Sequence, residues 1–479
     1  MGLCVLLLSS CAFWGARHPS QASVDTVDLL EKSQSIIDRV ATRDIGPDTC
    51  KDDLEKLITE YDQAPEQLDL EAIKGEGQQI LNQNFQARMS LHSMLEIFPD
   101  DCKRSVRVLF LKMRMVEDLV GVYYYSDPQI SADSLKYQSE PTPIYEAEKY
   151  NPYHVGKGID PKTKFEFKNG DVIITKGISF VSSTISELAS PKSLFSHIVF
   201  VHVNDKTKEV TTLESYVGKG VSIFPIEEAL KNENARIVVL RAKDSDLANR
   251  AANYMYDKVK SLAAQKKFIP YDYKLDFSDN TRLSCEELAY DSFKTMSDGA
   301  FIIPQLESEI TLKDEQFLKR VGVKRGPMMV PTDMETDSRF DIVLDWTDYR
   351  VMRDSWRKDE LLGSMFSWID LYDYKVHENL TSIAAKVIWS TRYIPGVWQM
   401  MSKVSGIPKD FTKDVPGLTI STIASLKTIG GELLPVITNA DQKAFEENGR
   451  WLTKPELAKV LDDYRQTNPK KLRKVFREK

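Results

Sequence analysis

Ser196-His197-Ile198-Val199-Phe200-Val201-His202-Val203, ending at Asn204-Asp205, sets the fold class of this chain. The run is rich in β-branched and aromatic residues and closes on a turn pair, so it reads as a strand. Similar short segments surround it. Asn169-Gly170 turns into Asp171-Val172-Ile173-Ile174-Thr175 before it, and Val210 to Ser215, Val221 to Phe224 and Arg236 to Arg241 follow it. Asp244, Ser245 and Asp246 then open a helix through Gln265, striped with Leu247, Ala251, Met255, Val259 and Leu262. A further helix starts near Ser284 and stops at Gly299. Strands followed by two helices, without strict βαβ alternation, predict an α+β fold around a mainly antiparallel sheet.

Strand parity selects the candidate chemistry. His197 shares a face with Val199, Val201 and Val203, while His202 points the other way. On the next strand Glu214 shares a face with Thr212 and Val210. Antiparallel pairing through Asn204-Asp205 would bring Glu214 beside His197, where a carboxylate fixes the imidazole tautomer and stabilises its charged form. Farther on, Thr281-Arg282-Leu283-Ser284-Cys285-Glu286-Glu287 begins a helix, with Ser284 as its cap and Glu287 completing a capping box. Cys285 therefore lies in the first turn, where free N–H groups and the helix dipole favour a thiolate. Core packing is the ordinary use of such a cysteine, because Leu288, Ala289 and Phe293 give the helix an apolar face. Glu286 and Glu287 also oppose a thiolate unless they point to solvent.

The flanks read differently. From about Val24 to Tyr125 apolar residues recur at three- and four-residue spacing, which predicts an antiparallel helical bundle in which His92 packs among Leu91, Met94 and Leu95. Residues 126–166 lack sustained periodicity and form a connector, one of the long loops that often carry function. Phe340-Asp341-Ile342-Val343 closes the central domain. From Thr347 the chain is helical and aromatic, with Trp356, Trp368, Trp389 and Trp398 assigned to a core. Ile394-Pro395-Gly396-Val397-Trp398-Gln399-Met400-Met401 is the stretch that could instead contact a membrane or acyl chains. A chain of 479 residues calls for two or three domains, and a formal charge of −7 argues against nucleic acid as a partner. Histidines and cysteines lack ligand spacing, so no metal or other cofactor is expected.

The start, Met1-Gly2-Leu3-Cys4-Val5-Leu6-Leu7-Leu8-Ser9-Ser10-Cys11, resembles a bacterial lipoprotein signal with Leu8-Ser9-Ser10-Cys11 as its lipobox. The resemblance implies lipidation of Cys11 and membrane attachment on the periplasmic side or the cell surface. In that oxidising envelope Cys50 would pair with Cys102, leaving Cys285 alone.

Gly170-Asp171-Val172-Ile173, Ser196-His197-Ile198-Val199, Glu214 before Gly218-Lys219-Gly220-Val221, and Tyr271-Asp272-Tyr273 before Leu283-Ser284-Cys285-Glu286-Glu287-Leu288 together resemble the YaeF/YiiX family. These are circularly permuted papain-like amidases among the NlpC-like cysteine hydrolases. The resemblance implies Cys285 as nucleophile, His197 as general base and acid, Glu214 as its orienting group and Tyr271 as an assisting hydroxyl. It covers only the permuted papain-like domain (167–346); the apolar start and the periodicity set off a signal and linker (1–23), a helical bundle (24–125), a connector (126–166) and a C-terminal helical domain (347–479). The expected reaction is hydrolysis of an amide in a peptide or cell-wall stem peptide. Lipid acyl hydrolysis or acyl transfer by the same triad and a non-catalytic envelope scaffold are the alternatives.

Overall fold

The computed structural model describes residues 28–126, 153–156, 159–160, 165–230, 234–372, 374–376, 380–394, 396–405, 407, 409, 411–473 and 476–477. Cys11 with the whole apolar start, and most of the connector, lie outside the described residues. Four helices come first: α1 (Leu29–Ala41), α2 (Cys50–Gln63), α3 (Leu70–Ser93) and α4 (Asp100–Tyr124). Asp28 and Asp69 cap α1 and α3 by accepting from backbone N–H groups of the first turn, which leaves Ile36, Leu54, Phe85 and Leu109 to face inward. Cys50 and Cys102 form a disulfide, with their Cα atoms 6.0 Å apart, between the first turns of α2 and α4.

The sheet follows. Its strands are β1 (Tyr153–Val155), β2 (Val172–Gly177), then, after helix α5 (Phe180–Leu188) and the two-residue β3 (Ala189–Ser190), β4 (His197–Val203), β5 (Val210–Tyr216), β6 (Gly220–Pro225) and β7 (Asn234–Ala242). Helices α6 (Ser245–Ala264) and α7 (Cys285–Met296) come next, then β8 (Ser308–Ile310), α8 (Glu315–Val321), β9 (Gly326–Met328) and β10 (Phe340–Thr347). Seven strands run in the order β1-β10-β7-β2-β4-β5-β6, and every adjacent pair is antiparallel. The fold is therefore α+β with an antiparallel sheet. The connector, which has no sequence periodicity, nevertheless supplies β1 on the sheet's edge.

Alternation along the strands divides the core. Val172, Ile174, Ile198, Phe200 and Leu213 pack with Leu288, Ala289 and Phe293 of α7, in a cluster that continues into the helical bundle. Ile173, Val199, Val201, Ile237 and Val239 form a separate cluster on the other face. Where bundle meets sheet, five charged side chains are buried together. Arg88 of α3 donates to Glu117 at 2.9 Å and to Asp345 of β10 at 2.8 Å, and Arg114 of α4 reaches Asp345 at 2.8 Å and also binds Glu335. Arg236 of β7 pairs with Asp118 nearby.

The C-terminal helices are α9 (Tyr349–Tyr372), α10 (Leu380–Ser390), α11 (Val397–Ser405), α12 (Gly417–Asn448) and α13 (Lys454–Thr467). Leu361, Met365 and Trp368 of α9 build a core with Leu433 and Ile437 of α12 and Leu457 and Leu461 of α13. Trp356, Trp368 and Trp389 are buried, and Trp398 packs partly exposed against Trp389.

Candidate active site

The β4–β5 register sets Val201 opposite Thr212 and Val203 opposite Val210. Parity then lines up Thr212, Glu214 and Tyr216 on the face that carries Val199 and His197. His197 Nε2 lies 3.1 Å from Glu214 Oε2. Because an ionised carboxylate only accepts, Nε2 must carry the proton, which leaves Nδ1 as the basic nitrogen. Two hydroxyls complete the arrangement: Thr212 donates to Glu214 Oε1 at 2.8 Å and Tyr216 to Oε2 at 2.5 Å. The Tyr216 ring also stacks on the imidazole, with centroids 4.9 Å apart. Burial opposes ionisation of Glu214, but the donors from His197, Tyr216 and Thr212 outweigh it and hold the carboxyl below its ordinary value.

The cysteine is carried by α7, whose Leu288, Ala289 and Phe293 pack with Ile198 and Phe200 of β4. Ser284 caps α7, its hydroxyl accepting from Glu287 N–H at 3.3 Å while Glu287 Oε2 accepts from Ser284 N–H at 2.7 Å. This is the capping box expected from the sequence, and it fixes Cys285 as the first helical residue. Cys285 is a buried free thiol, 3% exposed. The backbone N–H of Ile198 is near enough to favour a thiolate on this sulfur, which places the thiol by the start of β4. Sγ itself donates to Glu286 Oε2 at 3.2 Å, and among the described residues no hydrogen bond links it to the imidazole.

Burial first, then the Glu286 carboxylate, pushes the thiol well above its ordinary value, more than offsetting the Ile198 amide. The helix start favours a thiolate, yet this site holds a thiol. Both acidic neighbours are buried rather than turned to solvent. Burial raises Glu287 to about 8, and among the described residues its Oε1 has no hydrogen-bond partner.

The loop before α7 is held from several directions. Ser215 Oγ donates to the Leu283 carbonyl at 2.6 Å, and Leu283 N–H donates to Pro270 O at 3.0 Å. Val221 N–H donates to Ile269 O at 2.9 Å; next to it Gly220 has φ +74° and faces the same carbonyl, where a Cβ would collide. Tyr273 is occupied structurally, its hydroxyl accepting from Gly218 N–H at 3.0 Å. Tyr271 instead lines a cavity with Glu286, and burial, then the charges of Cys285 and Glu286, push its phenol well above the ordinary value.

From Tyr271 and Glu286 a cavity of about 120 Å³ extends between Val181, Ile185 and Leu188 of α5, Val321 of α8, and Ile423 and Leu426 of α12. A polar groove bordered by Arg282, Lys319 and Asp414 adjoins it and shares Asp272, Tyr273, Arg320 and Thr419. Sequence reading did not identify Tyr216 or the cavity. Tyr216 continues the face of Thr212 and Glu214, so parity could have found it; the cavity is assembled from segments more than two hundred residues apart and leaves no local signal. Among the described residues no cluster of three or more His, Cys, Asp or Glu side chains could hold a metal ion. Cys50 and Cys102 lie in the bundle, apart from this site.

No protein-family model matches the chain, and no curated protein sequence matches it either. Among solved structures, the crystal structure of metalloprotein yiiX from Escherichia coli O157:H7, DUF1105, shares 16% identity, with 37% of this chain and 97% of that chain covered and a TM-score of 0.28.

Proposed function

We propose that this chain is a cysteine hydrolase of the permuted papain-like type, transferring an acyl group to water through Cys285. One observation carries the reading: Glu214 holds the His197 tautomer that leaves Nδ1 free to act as a base, at the start of the strand on which the Cys285 helix packs. When substrate enters, the Cys285 contact with Glu286 breaks and His197 takes the thiol proton as sulfur attacks the acyl carbon. The N–H of Cys285 at the helix start donates to the oxyanion, with Tyr271 beside it. Collapse of the intermediate leaves a thioester, and His197 gives its proton to the departing amine or alcohol. Water, deprotonated by His197, then cleaves the thioester and restores the thiol.

An amide of a peptide or cell-wall stem peptide is the substrate class implied by the YaeF/YiiX resemblance. A specific observation favours a second reading, an ester or amide of an apolar acyl group: the cavity beside Glu286 and Tyr271 is walled mainly by aliphatic side chains. Attachment to a bacterial envelope through lipidated Cys11 remains part of the proposal and suits either substrate. Hydrolysis of nitrophenyl esters of short and long acyl chains, set against nitroanilides of charged peptides, tests both. The proposal expects turnover that disappears in Cys285→Ala, with long chains favoured if the cavity takes the acyl group. Turnover that survives in Cys285→Ala refutes it, and a protein inert towards all substrates supports the binding-scaffold alternative.

A further inference from the structure

We propose that α10 and α11 dock this protein on an anionic lipid surface. Thirteen large apolar side chains are exposed among the described residues, and nine of them fall between Leu371 and Met400. Helix α10 has two apolar faces. One turns inward through Ser382, Ala385 and Trp389, where Trp389 Nε1 donates to the Val415 carbonyl at 2.9 Å and Trp398 packs edge-on against it at 5.2 Å. The other, Leu380, Ile383 and Val387 at helical spacing, faces outward, with Leu380 86% and Val387 61% exposed. Met400 of α11, also 61% exposed, and Tyr393 and Ile394 continue the patch. Anchoring through Trp389 holds the outward stripe in place. Patches of this kind on soluble proteins mark interaction sites.

Charge identifies the occupant. Residues 380–413 contain five basic side chains, Lys386, Arg392, Lys403, Lys409 and Lys413, against one acid, Asp410, in a chain whose formal charge is −7. Two of them meet the exposed patch at Tyr393: the Arg392 guanidinium lies over its ring at 4.3 Å, with Lys413 on the same ring at 5.7 Å. Aliphatic side chains rimmed by Tyr, Arg and Lys suit the boundary between acyl chains and anionic headgroups. A second copy would set two basic rims against each other, which like-charge repulsion disfavours. Helix α12 is long and apolar enough, by length and composition, to cross a membrane, but Leu426, Ile429, Leu433 and Ile437 are buried in the C-terminal core. The outward aliphatic stripe at helical spacing belongs to α10, and Met400 of α11 adds to the exposed apolar surface.

Hydrogen exchange of the full chain, with and without vesicles of phosphatidylcholine and phosphatidylglycerol in equal parts, reads docking locally, so attachment through the N-terminal segment does not imitate it. The proposal expects slowed exchange over 380–405 with these vesicles and little with phosphatidylcholine alone. Leu380→Ser/Ile383→Ser/Val387→Ser, all at exposed positions, abolishes that protection, and Lys403→Gln and Lys409→Gln each weaken vesicle binding about fivefold. Unchanged exchange at 380–405, equal protection by phosphatidylcholine, or protection that grows with protein concentration in the absence of lipid each overturns it.

Discussion

Two regions of this molecule bury carboxylates, and they treat them in opposite ways. Where α3 and α4 meet the sheet, Glu117, Glu335 and Asp345 share the guanidinium groups of Arg88 and Arg114. Beside Cys285, Glu286 and Glu287 are as deeply buried, yet among the described residues no ion pair reaches either one. Burying a charge is costly unless it is paired. The first region meets that requirement and locks the bundle to the sheet. The second has no such cation beside the Cys285 sulfur, and there burial instead raises Glu287 to about 8, so that it keeps its proton at neutral pH. Losses in the first region should fall on stability and losses in the second on reactivity.

The largest expected effect separates the two. His197→Ala should lower kcat by about 10²–10⁴-fold with little change in thermal midpoint, as steady-state hydrolysis and thermal melting would record. Arg114→Met should do the reverse: leaving Glu335 and Asp345 short of a cation costs about 3–5 kcal/mol in urea unfolding, while kcat of the folded fraction is unchanged. If His197→Ala unfolds the protein, or Arg114→Met lowers kcat of the folded fraction, the division between the regions fails.

Glu286→Gln sharpens the contrast within the site. The carboxylate disfavours the thiolate, so its removal lowers the thiol pKa, and each unit of that fall raises the thiolate fraction about tenfold at neutral pH. Alkylation of Cys285 by iodoacetamide should be confined to alkaline pH in the unaltered chain and extend towards neutrality in the variant. An unchanged pH profile would show that burial alone raises the thiol.

Tyr216→Phe is the smallest change. Glu214 titrates below its unfolded value, so its contribution to stability is present above about pH 4.3 and is lost as pH falls through the folded value. Removing one donor should cost about 1 kcal/mol at neutral pH and nothing once the carboxyl is protonated in both states. A deficit that persists in acid would trace the effect to lost stacking on His197 rather than to the carboxylate.

The sequence made the local parts of this arrangement legible. Period-two alternation predicts that His197 and Glu214 share a face, and the Ser284 and Glu287 spacing predicts the cap that fixes Cys285; both depend on neighbours within a few residues. Strand β2 and the β4–β5 pair were legible for the same reason. Helix α5 carries no comparable signal, and β1 is made a strand only by pairing with β10, nearly two hundred residues away. The Arg88 and Arg114 cluster depends on partners more than two hundred residues distant. The side on which Glu286 lies was open as well, because a helix start does not say which of its first carboxylates the rest of the chain will cover.

The central claim is that Cys285 carries an acyl group which His197 helps to load and release. Intact-protein mass spectrometry after mixing with a nitrophenyl acyl ester tests it most directly. The account predicts one acyl group on Cys285 that forms and decays during turnover, both steps being slowed in His197→Ala and no adduct forming in Cys285→Ala. An adduct on another residue, or the same formation and decay in either variant, would contradict it.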